Sequence, residues 1–133
     1  MPVGNRDASY RYRLEVLFAF QMAFLEVRNA DVTRSLSQRL LDGSERGDIL
    51  GIDTWLFKVR NARNIDFSEA MDAARFEAQA ASVENFAAIQ SHRNRSINDS
   101  YVVMPLSQLT RLLRDGMSAQ LHSEERDGIA RTE

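Results

Sequence analysis

The chain has 133 residues, 44% of them apolar and 27% charged, with two histidines, no cysteine and a formal charge of −2. That length suits one domain with a core of its own. The lack of cysteine excludes disulfide scaffolds, cysteine–zinc sites, iron–sulfur clusters and thiol catalysis.

The basic residues are 16 arginines and one lysine, Lys58. This bias is usual in GC-rich coding sequences and points to a bacterium or one of its mobile elements. The slightly acidic balance argues against a basic surface over the whole chain of the kind that dominates many nucleic-acid-binding proteins.

Taken in order, residues 1–8 are polar, carry Pro2 and Gly4, and are expected to fray. A helical domain is expected over 9–122 and a disordered charged tail over 123–133. The first helix should run from Ser9 to Arg28. Its apolar residues, among them Val16, Leu17, Phe18, Phe20, Met22 and Phe24, exceed a single stripe. Such a helix is covered on several sides, either at the centre of the domain or in an oligomer interface. The same stretch contains Glu15, Gln21 and Glu26 and is too short and polar to span a bilayer. No charged segment leads into a leader-like apolar run, so a cytoplasmic location without membrane contact is expected.

Asp31 suits the N-cap of a second helix over 32–41, with Val32, Leu36 and Leu40 as its stripe and Gly43 at its end. A glycine-rich loop follows at 43–47. Ile49, Ile52, Leu56 and Val59 then fall at 3-4-3 spacing, with Trp55 on the same side, and predict a third helix from Asp48 or Asp53. Gly51 counts against the earlier start by about 1 kcal/mol.

Asp66 and Glu69 form a capping box, with Ile65 and Ala70 at the staple positions. A long fourth helix is expected over Phe67–Ser91, on the heptad-like spacing of Ala73, Phe76, Ala80, Val83 and Ala87. Residues 92–100 read as a polar loop. Tyr101–Met104 should be extended, because Pro105 disfavours a helical residue before it. Pro105 then opens a last helix with Leu106, Leu109, Leu113 and Met117 as its stripe. The fold expected is an all-α, single-domain bundle of about five helices around one long central helix.

Four features bear on function. Lys58, Arg60 and Arg63 lie among Asn61 and Asn64, and Arg93 and Arg95 flank Asn94. Arginine and asparagine can hold phosphates and base edges. Yet both clusters fall where a helix is expected to end, and there basic and asparagine residues are explained by capping and the helix dipole. Glu69 and Asp72, followed by Glu77, are paired carboxylates at helix spacing, which a solvated helix start also explains. No nucleophile elbow or phosphate-binding loop is present, and Ser118 and His122 form a pair with no third member.

The apolar surplus at Phe18, Phe20, Met22, Phe24, Trp55 and Phe57 suits a subunit interface. The function expected is a non-enzymatic protein–protein interaction module: a small adaptor, chaperone or inhibitor. It would act through an apolar helix face rimmed by arginine, as a homodimer with a protein partner and no cofactor or metal. One alternative is a nucleic-acid-binding regulator that uses Lys58, Arg60, Arg63, Arg93 and Arg95. The other is a small metal-binding or enzymatic helical protein.

Overall fold

A computed structural model of the chain describes residues 3–30, 47–92 and 94–117. It divides into two units, Met1–Val103 and Met104–Glu133. The expected helix over 32–41, the loop at 43–46, Arg93, the Ser118–His122 pair and the tail lie outside the described residues.

The first unit is not an all-α bundle. It is a mixed α/β layer structure built on a five-stranded sheet. Helix α1 covers Val3–Met22, β1 Arg28–Asn29, β2 Ile49–Leu50 and β3 Trp55–Arg60. Helix α2 covers Phe67–Ala80, β4 Asn85–Gln90 and β5 Tyr101–Val103, with a 3-10 turn at Ile97–Asp99 between the last two strands. The strands lie in sequence order, and only β3 and β4 are parallel. Helix α2 is the crossover that a parallel pair requires.

The expected third helix is thus β2 and β3. Gly51 has φ +124°, and a Cβ there would lie 2.2 Å from the Glu26 carbonyl oxygen on the approach to β1. The backbone therefore cannot continue as a helix, and the 3-4-3 spacing of Ile49, Ile52, Leu56 and Val59 is coincidental. Trp55–Arg60, rich in aromatic and branched residues, suits a pleated strand.

The expected long fourth helix stops after Ala80. Ser82 adopts φ +57°, and the chain turns into β4. Asn-Phe-Ala-Ala-Ile-Gln carries no alternation because it pairs on both edges and is covered on both faces. The N-cap half of the expected box is present, with the Asp66 carboxylate accepting from the Glu69 N–H at 3.0 Å, while the Glu69 carboxylate turns to Arg60.

Successive β3 side chains point to opposite faces. Leu56 packs with Ala78 and Val83 on the α2 side, and Ala70 and Ala74 of α2 lie against Ala88 of β4. These small residues let helix and sheet approach closely. Phe57 points the other way and meets Phe20 of α1 edge-on, ring centroids 5.0 Å apart. The two helices therefore cover opposite faces.

Helix α1 buries one stripe, Tyr12, Val16 and Leu17, while Tyr10, Phe18 and Met22 face outward. It is a surface helix, not the centre of a bundle. Tyr101–Val103 is extended as expected and pairs antiparallel with β4.

In the second unit, helix α3 spans 106–117. The Pro105 carbonyl accepts from the N–H groups of Gln108 and Leu109, which places proline at the helix start as expected.

Candidate nucleic-acid interface

The carboxyl ends of the parallel strands β3 and β4 carry the two Arg/Asn segments that are thirty residues apart in sequence. No helix ends at either, so helix capping does not account for them. The Ser91 N–H donates to the Arg60 carbonyl at 3.0 Å, and the Ser91 hydroxyl donates to the Asn61 side-chain oxygen at 2.7 Å. These two bonds tie the loop after β3 to the loop after β4.

Between the loops, the 3-10 turn and α1 lies a cavity of about 590 Å3. Arg11 and Glu15 of α1, Asn61 and Arg63 after β3, and His92, Asn94 and Arg95 after β4 line it, with Ser91, Ser96 and Ser100. Among the described residues the lining carries three arginines and one carboxylate, a basic balance on an acidic chain. Arg63 and Arg95 are exposed and take part in no ion pair among the described residues. Asn94 holds φ +61°, a conformation asparagine tolerates. The Tyr12 hydroxyl donates to Ser100 at 2.7 Å and anchors the far wall. Burial pushes the Tyr12 phenol above its ordinary value, against the Ser100 hydrogen bond that lowers it, while Glu15 adds to the rise.

The other residues named from the sequence lie elsewhere. Lys58 and Arg60 point from β3 toward α2. Arg60 pairs with Glu69 at 3.3 Å, and Asp72 pairs with Arg75 at 3.7 Å. The carboxylates of Glu69 and Asp72 are thus both taken up by surface ion pairs. Of the six interface candidates, Phe57 is core, and Phe20 and Trp55 pack against it. Phe18, Met22 and Phe24 remain exposed.

A second polar constellation joins β2, β3 and α2. Glu77 is only 2% exposed. Its carboxylate accepts from the Gly47 N–H at 3.0 Å and pairs with Lys58 Nζ at 3.0 Å. Asp48 accepts from the Val59 N–H at 2.8 Å and stands 3.8 Å from the same ammonium. Gly47 is obligatory in this arrangement. Its φ is +79°, and a Cβ would meet the Phe57 carbonyl oxygen at 2.6 Å. Among the described residues no group of three or more histidines and carboxylates comes together.

Sequence reading missed Arg11, which a helical periodicity treats as ordinary surface. It also took Asp48 for a helix cap and grouped Glu77 with the exposed acids. The signal for Asp48 was the strand character of 49–60, which pairs β2 with β3, whereas Glu77 reaches Lys58 through the packing of α2 on the sheet.

No family model, curated protein or solved structure matches the chain. No helix among the described residues is long and apolar enough to cross a membrane.

Proposed function

We propose that this chain binds nucleic acid, with the basin at the carboxyl ends of β3 and β4 holding the sugar–phosphate backbone. The observation that carries the reading is the convergence of Arg11, Arg63 and Arg95 from three separate elements on one concave site. Ligands of parallel α/β sheets bind outside the carboxyl ends of the strands. Arginine forks match phosphate oxygens, and the serine and asparagine side chains around them supply weaker donors.

The test is the salt dependence of binding to a labelled oligonucleotide. Each phosphate that a protein neutralises adds about 0.7–0.9 to the steepness of log K against log salt. Arg63→Ala and Arg95→Ala should each make the dependence shallower by about that amount and weaken binding to all sequences alike. Failure to bind at low salt removes the reading.

Asp48, Lys58 and Glu77 favour a second reading, metal-assisted cleavage of a phosphodiester. A buried ion cluster of this kind adds little stability over apolar residues of the same volume. A divalent ion there would take the place of the Lys58 ammonium between Asp48 and Glu77, with substrate phosphate oxygens completing its ligands, and would supply activation of water and offset phosphate charge. Cleavage of a labelled oligonucleotide with Mg2+ or Mn2+, abolished by Asp48→Asn, supports this reading. An intact oligonucleotide with both ions removes it and leaves the binding proposal standing.

A further inference from the structure

We infer that the basin takes an unpaired nucleotide, so that the ligand is single-stranded nucleic acid with one base seated against His92. The inference rests on the nucleic-acid reading above and specifies its ligand.

Shape is the first argument. Proteins that read a duplex insert a protruding helix or ribbon into a groove. Here the arginines stand around a hollow of about 590 Å3, walled by α1, two loops and a 3-10 turn. That volume lies within the roughly 300–1,000 Å3 of sites that enclose a small molecule. A stacked and paired base cannot enter such a hollow, whereas a splayed-out base can.

The second argument is the ring at the wall. His92 lines the basin and lies against Tyr101, with centroids 4.6 Å apart and planes 30° apart. Tyr101 is braced in turn by Phe67, edge-on at 5.1 Å. A ring fixed from behind in this way offers a flat platform with little left to order on binding. Stacking on such platforms is how single strands are held without regard to sequence.

The third argument is the placement of polar groups. Asn61 uses its side-chain oxygen to accept from Ser91, which leaves its NH2 to donate to an acceptor on a base or sugar. The arginines then take the flanking phosphates.

The experiment compares binding of the full chain to a short mixed-sequence DNA strand and to its blunt duplex, by fluorescence anisotropy at matched low salt. The strand should bind at least about tenfold more tightly than the duplex. His92→Ala should lose about tenfold on the strand, while His92→Phe, which keeps a stacking ring, should restore it. Circular dichroism of both variants confirms that they are folded. Equal or tighter binding to the duplex overturns the inference but leaves the nucleic-acid reading in place. So does full binding by a folded His92→Ala. Failure of both ligands to bind overturns the reading itself.

Discussion

Phe24 is the residue the fold treats least well. It is 95% exposed and holds φ +65°, where a bulky side chain is strained. The hydrogen bonds explain why the backbone goes there. The Phe24 N–H donates to the Gln21 carbonyl at 2.9 Å and the Leu25 N–H to the Phe20 carbonyl at 3.1 Å. This is the Schellman ending of α1, with phenylalanine where glycine is usual. Phe24→Gly should raise stability by ~1 kcal/mol, read as a higher thermal midpoint in dilute solution. Tyr12 gives a second prediction at this scale. Its phenol is raised in the folded state, so the folded chain keeps a proton that the unfolded chain releases above about pH 10. Stability is therefore retained below that pH and lost as pH rises through the folded-state value. Denaturant titrations of Tyr12→Phe should start from slightly lower stability at neutral pH, because the Ser100 hydrogen bond is gone, and fall less steeply between pH 9 and 11.

At the scale of elements, α2 shows what was legible and what was not. Its start was legible, because capping is local chemistry between Asp66 and Glu69. Its end was not, because Ala81–Gln90 contains no proline or glycine and its alanines suit a helix as well as a strand. Pairing with β3 on one side and β5 on the other decides the matter, and neither partner is local. The heptad seam drawn through Ala73, Phe76 and Ala80 was also misplaced. The buried face is Ala70, Ala74, Glu77 and Ala78, and Phe76 is exposed. Close approach through Ala74 predicts that Ala74→Leu forces α2 away from Ala88, at a cost of about 2 kcal/mol. Ala80→Leu, on an exposed position of the same helix, should be close to neutral. Urea midpoints of the two variants check this.

For the whole molecule, the arginine clusters were visible in the sequence but their meeting was not. Two segments on the ends of separate helices have no reason to converge, whereas two segments that follow neighbouring parallel strands must. The apolar surplus of α1 has also been divided. Phe20 stays inside, and of the four surplus residues at this helix Phe18, Met22 and Phe24 remain exposed. A second copy seated over those three predicts a solution mass above one chain by light scattering, reverting to one chain in Met22→Asp. A single-chain mass for the unaltered protein removes that interface and leaves the basin unaffected.

Among the described residues, the sheet grows shorter toward both margins. Its central pair runs six residues, while the outer strands have two and three. Outer strands are where foreign chains dock by continuing the ladder, and proteins suppress this by keeping them brief. Val102 is 57% exposed on β5, an apolar residue on a margin too short to template a growing fibre. The longest and most adhesive strands, Trp55–Arg60 and Asn85–Gln90, are sealed between neighbours. Among the described residues, exposing these two strands for cross-β stacking requires unfolding, so variants of lower stability should aggregate sooner.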